Sequence, residues 1–432
     1  MLVVVAPSGT AGVRPLVAEA RRRGLPAAVI TGRGARAPDV AARVAALEDP
    51  YDPGALVATA CALAGGTPSA LVSWDDGAML AAARAAELLG VGRSPSAGLA
   101  RARDKHATRQ ALRAAGLATP AFALIDAAAA APAVAASVGL PAVIKPLSGS
   151  GSLLVKRVAD VDGLAAAYRL LAERAPEALD GVCARPVDVP GAEPLDPTRV
   201  FLVEGLLRGA EYSVDVLVRD GAVEHVLLLD KFLVDARFFE LGFAWPPLGL
   251  DAGRERLIRR VVDDAVAALG IDNTTAHVEV IDDACLGPTV IEVNAGRPGG
   301  QVIVPLAAVA TGIDLCAEHV ALALGAPPPA REPALLDPPL ATLSVMPDAH
   351  GEVVAIHGLD AVSRHPDVVG VYPMCEPGDV LPEDWETFPI NVMVAGVAIR
   401  ERLVEIHAEV SAMVRVETVQ GGTPSPLPEP PS

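Results

Sequence analysis

Short apolar runs alternate with longer amphipathic segments along residues 1–92, and this alternation restricts the folds that are open to the chain. The runs "MLVVVA", "PAAVIT" and "SALVSW" have the character of buried strands, and each precedes a segment with helical spacing, at 13–24, 53–66 and 77–90. Strands connected through helices lie parallel, with right-handed crossovers. The pattern therefore predicts a small parallel α/β domain. Its first turn, "APSGTAG", lacks the GxGxxG spacing of dinucleotide-binding folds, so we do not expect a nicotinamide cofactor.

A second pattern, near residue 280, has the period-2 alternation of β-strands. Apolar and polar residues alternate along 277–281 and 290–294, and the residues between these runs include the Asp, Gly and Pro that are typical of a turn. If the two runs pair as a hairpin, Glu279, Glu292 and Asn294 share one face, and valines and isoleucines fill the other.

This polar face has two alternative interpretations. Two ionised carboxylates that lie close together repel each other and resist desolvation, so a cation between them is favourable. Mg²⁺ prefers oxygen ligands of this kind and brings substrate phosphates into its coordination shell. The alternative is the solvated outer face of an edge hairpin. The hairpin pattern alone does not distinguish the two.

The overall charge excludes several classes of partner. The net charge is −18, from 35 basic and 53 acidic residues, and no basic tract is present, which argues against nucleic acid and anionic membrane surfaces. No uncharged apolar run is long enough to span a bilayer, and the N-terminus lacks the basic region of a signal peptide. The five cysteines (61, 183, 285, 316 and 375) have no CxxC spacing, so neither a disulfide framework nor a zinc site is indicated. We therefore expect a cytoplasmic protein.

Lysine is rare in this chain, which makes each lysine informative. Only four of the 35 Lys and Arg residues are lysines, at positions 105, 145, 156 and 231. The ammonium group is a compact point charge that suits phosphate oxygens, whereas the guanidinium group is a planar fork. Lys145 ends a predicted strand, directly before a Gly/Ser loop at 148–152 in which glycine lets backbone N–H groups approach a phosphate closely. Such a lysine is a candidate for phosphate binding.

The remaining segments predict a mixture of helices, strands and loops. The predicted elements are a long helix from 96 to about 116, a connecting loop at 176–199, a strand pair at 199–207 and 210–221, a strand at 223–234, a loop at 238–249, a helix at 252–269 and a Pro-rich link at 326–339.

Four short motifs follow one another along the chain. They are "DK" at 104–105, "VIKP" followed by "SGSG" at 143–151, "VEGLLRGAEYSVD" at 203–215, and "HVEV" with "IEVN" between 277 and 294. This ordered set resembles the ATP-grasp superfamily, and within it the carboxylate-amine ligases related to L-amino-acid ligases. The resemblance covers residues 1 to about 415.

The resemblance implies a fold that combines α/β and α+β parts. It implies a Rossmann-like pre-ATP-grasp domain at 1–92, an ATP-grasp lid lobe with the phosphate loop at 93–175, a core lobe with the adenine hinge and the metal site at 176–325, a small C-terminal α/β module at 336–417 and a disordered tail at 418–432.

The resemblance also implies roles for individual residues at the nucleotide and the metal. Lys105 and Lys145 resemble the two phosphate-binding lysines of the family. The implied phosphate loop comprises Ser148, Gly149, Ser150 and Gly151. Glu204 resembles the hinge glutamate at the adenine, with Leu207 offering backbone groups to the base, and Glu211 matches the acceptor for the ribose hydroxyls. Glu279, Glu292 and Asn294 become ligands of one or two Mg²⁺ ions, for which Mn²⁺ is able to substitute.

The implied substrate residues are Lys231, Trp245, His277 and Arg297. His277 has a structural alternative, as a hydrogen-bonded histidine of the strand. Arg297 departs from the family pattern, because "NAGR" places it three residues after the asparagine instead of two, with Gly296 inserted. We expect Arg297 to act in catalysis by binding the substrate carboxylate or the acyl-phosphate oxygens, and Lys145 to act by neutralising charge that develops on the phosphate oxygens.

The implied activity is ADP-forming ligation of a small carboxylate to an amine through an acyl phosphate. The implied cofactors are ATP and Mg²⁺, the implied partners are small molecules, and a homodimer is compatible with the resemblance. Two alternatives stay open: an ATP-dependent carboxylase of the biotin-carboxylase type, and a catalytically silent nucleotide-binding protein. The chain carries no segment that resembles the biotin-accepting "MKM" motif.

Overall fold

The computed structural model describes residues 1–8, 12–35, 40–41, 43–149, 151–179, 183–235, 238–300, 302–346, 349–381 and 390–419. The chain divides into two compact units, and the bounds are Met1–Asp230 with Gly249–Leu336 for the first and Lys231–Leu248 with Asp337–Ser432 for the second. The predicted Pro-rich link contains the boundary after Leu336. The predicted disordered tail lies outside the described residues from residue 420 onward, and its first two residues belong to a strand.

The helices are α1 (Val13–Arg22), α2 (Pro53–Ala64), α3 (Met79–Leu88), α4 (Ser96–Arg103), α5 (Lys105–Ala114), α6 (Ala131–Val138), α7 (Val161–Ala178), α8 (Ala252–Leu269), α9 (Ile303–Thr311), α10 (Leu315–Leu324), α11 (Leu359–Ser363) and α12 (Arg400–Met413). The strands are β1 (Leu2–Val5), β2 (Ala27–Gly32), β3 (Val44–Leu47), β4 (Ala70–Val72), β5 (Phe122–Ile125), β6 (Ala142–Pro146), β7 (Lys156–Val158), β8 (Phe201–Gly205), β9 (Gly209–Arg219), β10 (Ala222–Val234), β11 (Glu240–Trp245), β12 (Thr274–Asp283), β13 (Gly287–Ala295), β14 (Leu340–Val345), β15 (Gly351–His357), β16 (Val368–Pro373), β17 (Val380–Leu381), β18 (Ile390–Ala395) and β19 (Arg415–Val419).

The N-terminal segment forms the parallel sheet that its alternation predicts. The strand order is β3-β2-β1-β4, and all of β1 is buried because helices cover both faces of the sheet. Strand β3 was not predicted, because Val44–Leu47 is a short, half-exposed run at the sheet edge without a distinct period. Helix α10, which the sequence assigns to the core lobe, packs on this sheet through Cys316 and Val320.

The long helix predicted from 96 to about 116 is two helices, α4 and α5, that separate at Asp104. Asp104 has an extended backbone (φ −87°, ψ 109°), which interrupts the helix. Its carboxylate accepts a hydrogen bond from the Ala107 amide at 2.8 Å and so caps the new helix. Lys105 is therefore the first residue of α5.

A second sheet carries the predicted phosphate-binding strand. Strands β5, β8, β6 and β7 are antiparallel in that order, and α6 and α7 pack against them. The structure differs here from the predicted boundary between 175 and 176, because β8 belongs to this sheet. The two strands predicted as a pair, which correspond to β8 and β9, do not pair with each other, because β9 lies in another sheet. In the resulting register Lys145 lies opposite Leu202, and Glu204 lies opposite Val143.

The predicted hairpin is β12 and β13, which extend an antiparallel sheet in the order β13-β12-β9-β10 within the first unit. Helix α8 begins and ends where the sequence predicts and packs on one face of the hairpin. A bulge at Ile291 interrupts the alternation, because the register passes from Glu279 opposite Glu292 to Val280 opposite Val290. Val290 therefore faces the α8 core, whereas strict alternation would place it beside Glu292.

The second unit contains strands in the order β11-β14-β18-β16 and a smaller sheet, β17-β15-β19. Its core forms where α12 packs with β14 and β18, through residues such as Leu403, Ile406 and Val392. The predicted loop at 238–249 is wrong, because β11 lies within it and pairs with β14. The two glycines and two prolines of this segment are typical of a loop, so the sequence pattern did not indicate a strand.

In the described part of the chain, no single helix has both the length and the apolar character needed to cross a membrane. Helices α9 and α10 meet that test only as a pair, with a bend of 99° between them.

Candidate active site

Glu279 and Glu292 lie directly opposite each other in the β12–β13 ladder, and Asn294 lies opposite His277. The Asn294 amide nitrogen is 3.5 Å from the Glu279 carboxylate. Opposed residues of an antiparallel pair have Cβ atoms about 5 Å apart, so these side chains share one small space. The predicted polar face is thus present, on the side of the hairpin away from α8. Metal binding by these residues stays a prediction.

Glu211, on β9, adds a further carboxylate to this face. It lies opposite Ile281, and carboxylate oxygens of Glu211 and Glu279 come within 4.8 Å of each other. Carboxylates at this separation repel each other unless a cation lies near them. The possible metal ligands on this face are the carboxylate and amide oxygens of Glu279, Glu292 and Asn294. Oxygen ligands of this kind fit Mg²⁺ or Mn²⁺ better than a softer metal.

Lys105 connects the polar face with the Gly/Ser loop. Its Nζ donates hydrogen bonds to Glu292 Oε1 and to the Gly149 carbonyl, each at 3.0 Å. The Lys105 amide donates to the Leu147 carbonyl at 2.8 Å. The two segments that are predicted to flank the phosphates therefore meet at the first residue of α5.

The Gly/Ser loop has the backbone that its glycines allow. Gly149 has φ 132° and Gly151 has φ 61°, conformations that side chains other than glycine's rarely permit. Ser148 is buried, and its hydroxyl donates to the Cys183 carbonyl at 3.2 Å, so this side chain anchors the loop. Ser150 lies outside the described residues. A phosphate would therefore meet the loop mainly through backbone N–H groups.

Lys145 and Glu204 form a buried cluster with Arg109, a residue that the sequence did not single out. Lys145 Nζ is 2.6 Å from one oxygen of Glu204, and the Arg109 guanidinium donates to the other. Burial alone would raise the pKa of Glu204, yet Coulombic attraction to Arg109 and Lys145 lowers it to about 2. Burial lowers the pKa of the Lys145 ammonium, and the carboxylate of Glu204 opposes that shift. The cluster thus holds one ionised carboxylate between two cations.

Both oxygens of the Glu204 carboxylate already have partners in the protein, Arg109 and Lys145. The predicted role of this segment at the adenine therefore depends on backbone groups. The segment after Glu204 is free of regular structure between β8 and β9, where the Arg208 amide donates to Asp283 at 2.7 Å. Within the described ranges, the amide and carbonyl of Leu207 take part in no hydrogen bond. A base edge would meet these backbone groups, and the Glu204 side chain would support the strand behind them.

Arg297 is aimed toward carboxylates despite its displaced position. Its Nε and Nη2 donate to the two oxygens of Asp76 at 2.5 and 3.1 Å. The inserted Gly296 has φ 103°, a conformation that suits glycine and that turns the chain at this point. Burial opposes protonation, but attraction to Asp76, Glu292 and Glu279 outweighs it and raises the pKa of Arg297. The guanidinium is a fixed, partly buried positive charge near the polar face.

His277 has a structural partner on the neighbouring strand. Its Nδ1 lies 3.1 Å from Asp215 on β9, whose other oxygen accepts a hydrogen bond from the Gly299 amide at 2.8 Å. Its Nε2 is 4.0 Å from a Glu279 oxygen. Nδ1 of His277 therefore has the structural role that the sequence analysis gave as the alternative. A substrate role for Nε2 stays a prediction.

Lys231 and Trp245 belong to the second unit, whereas the other predicted site residues belong to the first. The Lys231 side chain is fully buried and forms an ion pair with Glu240. Trp245 is half-buried at the end of β11. Their predicted roles at the substrate stay predictions.

Three charged residues that the sequence analysis missed now accompany the predicted ones: Arg109, Asp76 and Asp215. Arg109 follows Lys105 by four residues on one helix, a spacing that places both on the same face and could have indicated it. Asp76 lies in the loop that begins after the buried strand β4, and such loops often carry ligand-binding residues. Asp215 ends the motif at 203–215, but only the β9–β12 register shows that it lies beside His277.

The sequence matches the family of ATP-grasp domains over residues 138–304. A D-alanine–D-alanine ligase of Cupriavidus taiwanensis is 32% identical over 231 residues, which are 52% of this chain and 65% of that protein. The corresponding ligase of Acidovorax ebreus is 30% identical over 228 residues, covering 51% of this chain and 63% of the relative. An uncharacterised protein of Sinorhizobium fredii is 29% identical over 64% of this chain and 52% of its own length. The chain thus spans between half and two thirds of these curated relatives.

Solved structures agree over nearly the whole chain. The L-amino acid ligase from Bacillus licheniformis has a TM-score of 0.78 at 22% identity, with 97% of this chain and 98% of that chain covered. A biotin carboxylase domain of a 2-oxoglutarate carboxylase from Hydrogenobacter thermophilus has a TM-score of 0.71 at 17% identity, with 97% and 91% covered. At these identities the likeness establishes the fold. The chain therefore has the ATP-grasp fold, and its residues 138–304 match the ATP-grasp domain family.

Proposed function

We propose that this protein is an ATP-dependent ligase that activates the carboxylate of an amino acid or related small acid as an acyl phosphate and joins it to an amine, releasing ADP and phosphate. The observation that carries the proposal is the 3.0 Å contact between Lys105 and Glu292, which unites a candidate phosphate-binding ammonium with a candidate metal ligand. Relatives named D-alanine–D-alanine ligase and a fold neighbour named L-amino acid ligase support the substrate class.

ATP would lie between the sheet that carries Lys145 and the hairpin that carries Glu292. Lys105, Lys145 and the backbone of the Gly/Ser loop would bind its phosphates. The backbone at Leu207 would meet the adenine, and Glu211 would accept hydrogen bonds from the ribose. This assignment is supported by the contacts of Lys105 with Glu292 and Gly149 and by the position of Glu211 beside Glu279.

In the first step an oxygen of the substrate carboxylate attacks the γ-phosphorus in line, and the bond to the β-phosphate oxygen breaks, so ADP leaves. When bound to Glu279, Glu292 and Asn294, Mg²⁺ neutralises charge on the phosphate oxygens. Lys145 stabilises the same developing charge, and Arg297 holds the substrate carboxylate or the acyl-phosphate oxygens. The protein thus contributes positioning and fixed charge instead of a covalent nucleophile.

In the second step the amine attacks the carbonyl carbon of the acyl phosphate. The C–N bond forms, the amine loses a proton, and phosphate departs with the oxygen that came from the carboxylate. Exclusion of water protects the acyl phosphate from hydrolysis before the amine reacts.

A phosphate-release screen tests this proposal. The purified protein would be incubated with Mg·ATP and pairs of amino acids and small carboxylic acids, with Glu292→Gln as the inactive control. We expect release that needs both an acid and an amine. Turnover that needs only bicarbonate and biotin would support the carboxylase alternative. A protein that binds nucleotide but shows no turnover would support the catalytically silent alternative.

A further inference from the structure

Arg109 is a buried arginine that no step of the proposed reaction uses. Its side chain is 1% exposed, and it lies on α5 one turn after Lys105. A buried guanidinium is costly unless every one of its donor directions finds an acceptor. The partners of Arg109 therefore indicate what the residue does.

Arg109 joins two strands that carry different parts of the candidate site. Its Nε donates to Glu204 at the end of β8, and Nη1 and Nη2 donate to the Val290 and Ile291 carbonyls, each at 2.8 Å. These carbonyls belong to the β13 bulge, directly before Glu292, where the ladder with β12 shifts its register. A planar fork is able to reach three acceptors that are spread in this way, whereas an ammonium at the same place is not.

The charges around Lys145 show why a third group is needed there. Lys145 and Glu204 alone, at 2.6 Å, would form a neutral pair that offers no net attraction to an anion. Arg109 binds the second oxygen of the same carboxylate, so the buried cluster of Lys145, Glu204 and Arg109 has a net charge of one positive unit.

We propose that Arg109 is a positioning residue that shares the Glu204 carboxylate, so that Lys145 keeps a net positive charge for a nucleotide phosphate. This inference rests on the proposed nucleotide-binding role of Lys145. It extends that role, because it makes phosphate binding depend on a residue that touches neither the phosphate nor the metal. It also explains why the carboxylate of Glu204 is held from both sides.

A charge-rescue experiment tests the inference through nucleotide affinity instead of turnover. Calorimetry would measure binding of ADP, with and without Mg²⁺, to the parent, to Arg109→Met and to the double variant Arg109→Met with Glu204→Gln. We expect Arg109→Met to weaken binding at least about tenfold, because it leaves a neutral Lys145–Glu204 pair. The double variant restores one net positive charge and should return to within about threefold of the parent.

Arg219→Met is the matched control. Arg219 also joins a buried carboxylate, Glu318, to a backbone carbonyl, that of Ala326, but it lies away from Lys145. It should lower the melting temperature without changing ADP affinity. If Arg109→Met does not fold, Glu204→Gln alone serves, and it should bind ADP at least as tightly as the parent.

The outcomes separate this inference from the proposed function. A parent that binds no adenine nucleotide would overturn the proposed function and this inference with it. A parent that binds ADP, with an Arg109→Met variant that binds equally well, would overturn only the inference. A double variant that stays as weak as Arg109→Met would show that Arg109 acts through packing and not through charge.

Discussion

The carboxylates of Glu279 and Glu292 lie on directly opposed residues of neighbouring strands, and the Lys105 ammonium contacts one of them, Glu292, at 3.0 Å. The Lys105 ammonium therefore pairs with one of two opposed carboxylates, and the Glu211 carboxylate lies close to the other, that of Glu279. A divalent cation and the phosphates that it carries would balance these charges.

Glu292→Gln should reduce turnover at least about a hundredfold, because it removes one carboxylate charge from the candidate metal site and almost no volume. Steady-state rates at saturating Mg²⁺ would measure the effect. Glu255→Gln is the control, since Glu255 also pairs with a cation, Arg259, but on the surface of α8, where such pairs contribute little. Equal rates for the two variants would mean that the polar face is only a solvated surface.

Lys145→Arg should lose far more activity than Lys156→Arg. Lys145 is buried against Glu204, and a longer planar guanidinium there must displace either the carboxylate or the phosphate. A displacement of about 1 Å in such a site can cost about a hundredfold in rate. Lys156 is exposed at the start of β7 and should tolerate arginine. Both variants should melt within a few degrees of the parent, and similar rates for both would remove Lys145 from the phosphate site.

Gly149→Ala should weaken nucleotide binding, and the loss of affinity should be larger than the loss of folding stability accounts for. At φ 132° an alanine is strained, although among the described residues its Cβ would meet only Leu179, at 3.8 Å, so the change acts on the backbone of the phosphate loop. Gly221→Ala, in the β9–β10 turn at φ 79° with open space around it, is the control. The control should lose about 1 kcal/mol of stability and no affinity. Affinity losses of the same size in both variants would contradict a specific role for the loop.

Stability should fall as the pH is lowered from about 6.5 toward 4, in part through His319. Burial lowers the pKa of His319 to about 4, so the folded state holds the ring neutral while the unfolded chain takes up a proton near pH 6.5. The contribution is present above the unfolded pKa and is lost toward the folded one, with a limit of about 3 kcal/mol. His319→Gln removes this proton uptake, so its melting temperature should fall less between pH 7 and pH 4.5. Parallel curves for parent and variant would show that His319 does not titrate in this way.

The sequence predicted the elements whose periodicity is local and strong. The alternation in 1–92, helix α8 and the β12–β13 hairpin are present where the pattern indicated them. The break at Asp104 was missed because the residues on both sides favour a helix, and only the cap distinguishes one long helix from two. Strand β11 was missed because nearby glycine and proline residues signal a loop.

Long-range contacts limited the prediction of the candidate site. The shared face of Glu279, Glu292 and Asn294 follows from two strands that are adjacent in sequence, so the pattern was sufficient. The pairing of β8 with β6 and the contact of Asp76 with Arg297 depend on segments far apart in the chain. Arg109 belongs to the same class, because its acceptors are more than ninety residues away.

The fate of the carboxylate oxygen tests the central claim most directly. The protein would be incubated with Mg·ATP and a mixture of amino acids labelled with ¹⁸O in the carboxyl group, which supplies both acid and amine, and the products would be examined by mass spectrometry. Attack of the carboxylate on the γ-phosphorus predicts ADP together with phosphate that carries one ¹⁸O atom. AMP that carries the label, with pyrophosphate, or ADP with unlabelled phosphate alone, would contradict an acyl phosphate intermediate and the ligase mechanism built on it.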